Sequence, residues 1–191
     1  MDFSAERPRA VLAFDTANEV IALGLGVLDE ATQTVHCLAS KRIPAHRSSN
    51  TRLLPEIDAL LTTEGIERAD IAAICCGRGP GSFTGVRICI ATAKGIAQAL
   101  GVPLIGVSTL DAIAWQMHEA GIRGQALVLA DAMRKEVYPV RFTLDDAGAH
   151  RLEPDTVVKA QEEARRLAEA AVLLADSTDL SAEAAASPAR S

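Results

Sequence analysis

Apolar residues along the chain follow alternating strand-like and helix-like spacings. Apolar runs at residues 10–15, 20–28 and 35–42, separated by short polar segments, predict three successive strands. Between residues 50 and 61, leucine and isoleucine recur at steps of three and four, which predicts a helix with one apolar face. Strands alternating with helices predict an α/β protein. The same criteria predict further strands at 71–76, 102–107, 126–131, 137–144 and 172–175, and helices at 84–100, 109–119 and 159–170.

The first hairpin has a counterpart in the second half of the chain. Residues 10–15 end in Asp15 and are followed by a returning strand, and residues 126–131 end in Asp131 and are followed by another. The two aspartates lie 131 − 15 = 116 positions apart. The repeat predicts two lobes that each begin with a strand, an aspartate, a polar turn and a returning strand. The alternative is a chance similarity between two ordinary hairpins.

Composition limits the functions that the chain performs alone. It has 191 residues, of which 49% are hydrophobic and 23% charged, as in soluble globular proteins. Aromatic residues make up only 3%, so Ala, Val, Leu and Ile are expected to fill the core. The formal net charge of −6 argues against strong nucleic-acid binding by the isolated chain, because phosphate contacts need clustered Lys and Arg.

The cysteines and the apolar runs predict a cytoplasmic protein. The four cysteines include no C-x-x-C pair, and adjacent Cys75 and Cys76 in a predicted strand are expected to be buried, reduced thiols. No apolar run reaches the ~18 residues of a membrane span, and residues 1–8 lack the apolar core of a secretion signal. The Ala- and Ser-rich residues 176–191 are expected to be a disordered tail.

A glycine-rich loop joins the predicted strand at 71–76 to the helix at 84–100. Four glycines and one proline lie within residues 77–85. Such a loop at a helix N-terminus either cradles phosphate on backbone N–H groups or forms a tight structural turn. The spacing fits neither the P-loop nor the dinucleotide-binding pattern, since no lysine follows until Lys94 and position 82 is serine. The pattern therefore favours a structural turn, with Ser82 or Thr84 as the helix N-cap.

The chain shows no recognisable catalytic group of residues. No two of its four histidines stand three to five positions apart, so no helical histidine pair for zinc is present. Ser82 and Thr84 have no identifiable base, and a G-x-S-x-G elbow is absent. Asp15 and Asp131 are followed by turns without glycine, which makes backbone contact with a phosphate harder.

The predicted helix at 84–100 is apolar on nearly every side. Such a helix is buried on more than one side, either inside its own domain or against a partner. Small residues at Gly85, Ala91, Gly95 and Ala99 allow another element to approach closely. The residues alone favour neither burial inside the domain nor contact with a partner.

Several stretches, in the same order, resemble the TsaB family. The most specific is the G-P-G-S-F-T-G run that opens residues 79–114, and weaker ones are Phe14–Thr16, Arg52–Asp58 and Asp131–Ala132 with Glu136–Tyr138. The resemblance covers roughly residues 10–141. It implies an actin-like (ASKHA) α/β fold with two lobes of mixed sheet and helices, the second lobe shortened. The expected division is residues 1–107, 108–175 and the tail 176–191.

The resemblance also implies a function without catalysis by this chain. TsaB-family proteins are dimerisation subunits of the machinery for the tRNA N6-threonylcarbamoyladenosine modification. The implied partners are a TsaD-like catalytic subunit, a TsaE-like ATPase, a second copy of the chain, and tRNA only through the complex. ATP and metal are expected on the partner subunit, with no cofactor on this chain and no membrane contact. Asp15, Thr16 and Asp131 are then relics of a nucleotide cleft.

In this family the two helices at 50–61 and 84–100 form the docking face. The expected interface residues are Leu53, Leu54, Ile57, Leu61, Val86, Ile90, Ala93, Lys94 and Ala97. The expected structural loop comprises Gly79, Pro80, Gly81, Ser82, Phe83, Thr84 and Gly85. Two alternatives from other classes stay open: a self-contained peptidase or other hydrolase, and an active actin-like ATPase.

Overall fold

The computed structural model describes residues 9–45 and 48–169, which form two sheets with flanking helices. The elements of the first part are β1 (Ala10–Asp15), β2 (Val20–Asp29), β3 (Thr34–Pro44), α1 (Ser49–Glu64), a 3-10 turn (Arg68–Asp70), β4 (Ile71–Gly77), α2 (Phe83–Leu100) and β5 (Leu104–Val107). Those of the second part are α3 (Thr109–Glu119), β6 (Gly124–Met133), β7 (Glu136–Asp145), β8 (Gly148–Arg151), β9 (Val158–Lys159) and a helical segment, α4, at residues 160–169.

The first sheet has five strands in the order β3-β2-β1-β4-β5. Strands β1, β2 and β3 form an antiparallel meander, whereas β4 pairs parallel with both β1 and β5. Parallel pairing requires a crossover, and α2 supplies the one between β4 and β5. Strand β1 therefore lies at the centre, with Phe14 opposite Leu23 on one side and Cys76 on the other.

Helices α1 and α2 cover one face of this sheet. Along β1 every second residue is buried, so Leu12 and Phe14 point to the covered face, as the two-residue period of a strand requires. They share one hydrophobic core with Leu53 of α1 and Cys89 of α2. The Cys89 thiol lies within 3.3 Å of the Phe14 carbonyl oxygen, which shows how closely α2 packs on the central strand.

The second sheet is antiparallel throughout the described residues. Its strands follow the order β6-β7-β8, and the short β9 pairs with β7. Its core is separate from the first and joins Leu110 of α3 with Val128, Val140 and Phe142 of the sheet. The buried hydrophobic side chains of the protein are mostly aliphatic, as the low aromatic content predicts. Phe142 is the largest fully buried residue among those described.

Charged side chains attach α4 to the second sheet. Arg141 of β7 donates hydrogen bonds to Glu163 of α4 at 2.6 Å and to Glu153 at 2.9 Å. The Glu163 side chain is only 5% exposed, so it depends on this guanidinium. Partial burial by itself raises the pKa of Glu153, but hydrogen bonds from Arg141 and Arg166 outweigh it and hold that pKa below its ordinary value.

The two sheets are tied together at the start of α3. Ser108 caps this helix by accepting a hydrogen bond from the Leu110 N–H. The next residue, Thr109, donates from its hydroxyl to Asp15 Oδ2 at 2.6 Å and from its N–H to the Gly79 carbonyl at 2.9 Å. Arg78 adds an ion pair to Asp155 at 3.6 Å. The end of β1, the glycine-rich loop and the second part of the chain therefore meet at Thr109.

The predicted α/β class with two sheets is confirmed, with one difference in the second lobe. Only the first sheet is mixed, because the described part of the second contains no parallel pair. Strands β8 and β9 were missed, since both are too short for a clear alternation. The predicted strand at 172–175 and the tail at 176–191 lie outside the described residues. The division at residues 107 and 108 stays a prediction, with which the two separate cores agree.

No helix in the described parts of the chain is long and apolar enough to cross a membrane.

Replacing Arg141 tests how α4 is held. Arg141→Met leaves the buried Glu163 without its guanidinium, and we expect the free energy of unfolding to fall by about 3 kcal/mol at neutral pH. The folded-state pKa of Glu153 is lowered, so its stabilisation is present above the unfolded pKa of about 4.3 and is lost as the pH falls through the folded value. The loss in Arg141→Met should therefore shrink below about pH 4.

Urea denaturation monitored by circular dichroism measures this loss. The control is Arg166→Met, because Arg166 contacts the same two carboxylates but is 58% exposed. Its loss should stay below about 1 kcal/mol. Equal losses in the two variants would contradict the proposed dependence of Glu163 on Arg141.

Candidate functional site

The glycine-rich loop between β4 and α2 is a structural turn. Ser82 is the N-cap of α2 and accepts a hydrogen bond from the Gly85 N–H at 3.4 Å, whereas Thr84 lies within the helix. Gly79 has a φ of +84°, which favours glycine, and precedes a cis bond to Pro80. Of the two residues predicted as N-cap, the structure therefore uses Ser82 and not Thr84.

Two other glycines allow the loop to touch the β1–β2 turn. A Cβ on Gly81 would lie 2.5 Å from the Ala17 carbonyl oxygen, and one on Gly85 would lie 2.0 Å from that of Thr16. The Ser82 N–H donates to the Ala17 carbonyl at 2.7 Å, and the Thr16 hydroxyl donates to the Gly85 carbonyl at 2.7 Å. The glycines therefore let the loop backbone pack directly against the β1–β2 turn of the same chain.

The carboxylate of Asp15 has internal partners on both oxygens. Oδ1 accepts a hydrogen bond from the Ala17 N–H at 2.7 Å, and Oδ2 accepts one from the Thr109 hydroxyl at 2.6 Å. Glycine at position 77 leaves room for this carboxylate, because a Cβ there would lie 2.1 Å from the Asp15 carboxyl carbon. Asp15 thereby holds the β1–β2 turn and joins it to α3.

Asp131 stands in a different environment from Asp15. It is exposed near the end of β6, where Oδ1 accepts a hydrogen bond from the Met133 N–H at 2.7 Å. After Ala132, the three turn residues Met133, Arg134 and Lys135 all have positive φ. The structure thus brings Asp15 and Thr16 together at the first hairpin turn and places Asp131 at the exposed turn of the second hairpin.

The described residues offer little for ligand chemistry. They contain no group of three or more His, Cys, Asp or Glu side chains placed to hold a metal ion. Burial raises the pKa of the Cys89 thiol to about 12 and also raises those of Cys75 and Cys76, so these thiols are protonated at neutral pH. Two surface depressions, of ~580 and ~380 Å³, lie at the end of α1 and beside the start of β1, away from Asp15 and Asp131.

Five of the expected interface residues do not lie on the surface, because the structure buries them against the first sheet. Each is at most 7% exposed and belongs to the first core: Leu53, Ile57, Leu61, Ala93 and Ala97. The physical reason is the close packing of α2 on the sheet. Its buried positions are Gly85, Cys89, Ala93 and Ala97, a row of small residues at steps of four. The apolar character of α2 therefore serves the core on one side.

The opposite sides of α1 and α2 carry an apolar surface open to solvent. Of the expected interface residues, Leu54 is 52% exposed, Lys94 is exposed, and Val86 and Ile90 are half-buried. We define the α1–α2 surface by these four and by four exposed residues not predicted for it, namely Phe83, Arg87, Ala91 and Gly95.

Phe83 and Gly95 are the most informative additions to this surface. Phe83 is 69% exposed, and the Arg87 guanidinium lies 3.8 Å from the centre of its ring. A Cβ on Gly95 would meet no atom within 4 Å, so nothing in the described chain requires glycine at that helical position. Phe83, Arg87, Ala91 and Gly95 follow one another at steps of four, and this helical spacing contained the signal for them. The burial of Ala93 was needed to choose the side.

Comparison with known proteins places this architecture in a defined class. Residues 43–178 match the family model described as TsaD, tRNA N6-adenosine threonylcarbamoyltransferase. A structure entitled YeaZ from Pseudomonas aeruginosa is 31% identical, with a TM-score of 0.67 over 78% of this chain and 66% of that one. The fold and this family model thus define a protein of the TsaD-related class.

Sequence relatives narrow the class. The chain is 37% identical to the tRNA threonylcarbamoyladenosine biosynthesis protein TsaB of Escherichia coli over 79% of its own length, and 34% identical to TsaB of Haemophilus influenzae over 67%. It covers 63% and 51% of those relatives, respectively. The chain belongs to the TsaB family, which confirms the resemblance seen in the sequence.

Alanine substitutions at two helical glycines test the role of the loop. In Gly85→Ala the new methyl group overlaps the Thr16 carbonyl, and we expect the free energy of unfolding to fall by about 3 kcal/mol. Gly95→Ala is the matched control on the same helix, because its methyl group meets open space. It should raise stability by about 0.5–1 kcal/mol. Urea denaturation measures both, and a Gly85→Ala protein as stable as wild type would refute the packing argument.

Proposed function

We propose that this chain is a non-catalytic subunit of the machinery for tRNA N6-threonylcarbamoyladenosine biosynthesis. In this proposal it docks through the α1–α2 surface onto a TsaD-like catalytic subunit and orders that subunit for catalysis. The carrying observation is the exposed apolar side of two neighbouring helices, with Leu54 at 52% and Phe83 at 69% exposure. Exposed apolar patches of this kind mark interaction sites in soluble proteins.

The geometry of α2 supports helix-on-helix docking. Ala91 and Gly95 lie four residues apart on its exposed side and present almost no side-chain bulk. An exposed glycine within a helix costs roughly 0.5–1 kcal/mol relative to alanine. Since the described chain leaves this position open, a partner helix packed close to Gly95 explains it. Half-buried Val86 and Ile90 on the flank would complete the contact.

The first hairpin turn supports a role without catalysis. In this proposal Asp15 and Thr16 are relics of a nucleotide cleft, because both oxygens of Asp15 and the hydroxyl of Thr16 already serve internal contacts. The glycine-rich loop packs against the same turn where a nucleotide phosphate would otherwise approach. Asp131 is treated as the corresponding relic of the second hairpin.

The names of the relatives support the pathway and the partner. The E. coli and H. influenzae relatives are named tRNA threonylcarbamoyladenosine biosynthesis proteins. The matching family model carries the name of the transferase itself, so a catalytic partner of that family shares the fold of α1 and α2. Two related chains that pair through equivalent helices form a pseudo-symmetric interface. The proposed complex is cytoplasmic and adds a TsaE-like ATPase.

The partner subunit is proposed to hold the ATP, the metal and the catalytic groups. Because this chain has a net charge of −6, it is proposed to contact tRNA only through the complex. Self-association through the same surface is the competing state of the isolated chain.

Light scattering on the chain alone and mixed with the TsaD-like protein of the same organism tests the docking. We expect a one-to-one complex in the mixture, and tRNA modification only when both proteins and the TsaE-like ATPase are present. A chain that ignores the partner would refute the proposal. Micromolar ATP binding or peptide hydrolysis by the isolated chain would instead favour the ATPase or the hydrolase.

Two alanine-to-tryptophan variants locate the interface. Ala91→Trp places a large ring on the exposed side of α2, and we expect it to weaken the complex about thirtyfold or more without unfolding the chain. Ala112→Trp is the control, because Ala112 is likewise an exposed helical alanine, on α3. Isothermal titration calorimetry measures both affinities. Equal affinities for the two variants would show that docking uses another face.

A further inference from the structure

The α1–α2 surface has an unusual charge for this protein. The chain carries 25 acidic and 19 basic residues, yet residues 71–110 contain no aspartate or glutamate. Helix α2 lies wholly inside this acid-free segment, whose cations are Arg78, Arg87 and Lys94. The exposed side of α2 is therefore positive, whereas the protein as a whole is negative.

The two cations of α2 have no carboxylate partner among the described residues. Arg78 differs from them, because it pairs with Asp155 of the second part. Arg87 rests on the Phe83 ring, and Lys94 is exposed. They stand seven positions apart, which is close to two helical turns, so they lie on one side of the helix. A partner that covers this side must therefore meet two free positive charges.

Two of the three carboxylates of α1 are already engaged within the chain, and the third, Glu64, is the last residue of the helix. Glu56 pairs with Arg52 at 3.0 Å and with Lys41 at 3.5 Å, and hydrogen bonding from Arg52 chiefly lowers its pKa. Asp58 pairs with Arg68 at 2.9 Å. A second copy of the chain therefore offers few free carboxylates to α2. In a two-fold pairing of α2 with itself, like charges would face each other.

We propose that the α1–α2 surface selects its partner by charge. It accepts a protein helix that places carboxylates opposite Arg87 and Lys94, and it disfavours a second copy of this chain. The inference rests on the proposed function, in which a TsaD-like subunit covers this surface. It adds that the covering helices of that subunit are acidic, and that the charge shifts the equilibrium from self-association to the mixed complex.

Protein helices fit this surface better than nucleic acid does. Phosphate binding needs clustered cations, and here two cations are separated by two helical turns with Ala91 and half-buried Ile90 between them. The exposed Phe83 at the start of α2 and Gly95 near its middle provide a ring and a gap for side-chain packing. Apolar contacts flanked by complementary charges are typical of protein interfaces.

A charge-reversal pair with a matched control tests this inference. The test variant is Arg87→Glu with Lys94→Glu, and the control is Arg42→Glu with Arg165→Glu. Both change the net charge equally, and Arg42 and Arg165 are likewise exposed and lack a carboxylate partner among the described residues. Arg42 pairs with Ala22 of β2, next to buried Ile21 and Ile43, so it points away from α1 and α2. Circular dichroism verifies that all proteins are folded.

Stopped-flow binding to the TsaD-like protein, from about 0.05 to about 0.5 M NaCl, gives the readout. We expect the association rate of the test variant to fall at least about tenfold at low salt and to lose the salt dependence of wild type. The control should keep the wild-type rate and salt dependence. Equal losses in the two variants, or no loss in either, would overturn the charge-selection inference.

Self-association and RNA binding complete the test. Sedimentation equilibrium should show wild type associating with itself more weakly than with the partner, and Arg87→Gln with Lys94→Gln should tighten self-association. Unchanged self-association would overturn the inference, as would a loss of tRNA binding by the isolated test variant.

If wild type fails to bind the partner at any salt concentration, the proposed function fails as well. If wild type binds and charge reversal has no effect, only the charge selection fails.

Discussion

The contact between the glycine-rich loop and the first hairpin turn fixes the position of α2 and of the second part of the chain. The Thr16 hydroxyl and the Ala17 carbonyl bind the loop, and Gly85 lets the two backbones meet without a side chain between them. Through this contact the start of α2 is held over the end of the central strand. From the same place Asp15 binds Thr109, which attaches the second part of the chain. One cluster of short hydrogen bonds therefore sets both the position of α2 and the junction between the two sheets.

Helix α2 has two rows of small residues on opposite sides, and its position on the sheet explains one of them. One row, including Cys89 and Ala93, faces the sheet and is buried, because small side chains let the helix lie close to the central strand. The other row, with Ala91 and Gly95, faces solvent. Packing within the chain explains the first row but places nothing near Gly95. This difference is what separates the core of the chain from the surface proposed for docking.

The hairpin repeat was visible in the sequence, but its two copies are used differently. Asp15 and Asp131 follow similar apolar strands, and both accept a hydrogen bond from the N–H two residues ahead. The first is also bound by Thr109 and lies against Gly77, whereas the second is exposed. Local sequence predicts the turn and the aspartate in each case. It contains no information on which side chain, 94 positions away, reaches the second oxygen.

The sequence by itself determined the order of the longer elements and the family, because periodicity and motifs are properties of neighbouring residues. It also limited the N-cap of α2 to Ser82 or Thr84. Only the tertiary structure decided which side of α1 and α2 is free. Leu53 and Leu54 are adjacent and chemically identical, yet one is 1% and the other 52% exposed. The sheet that packs against a helix selects its buried face, and that contact joins residues far apart in the chain.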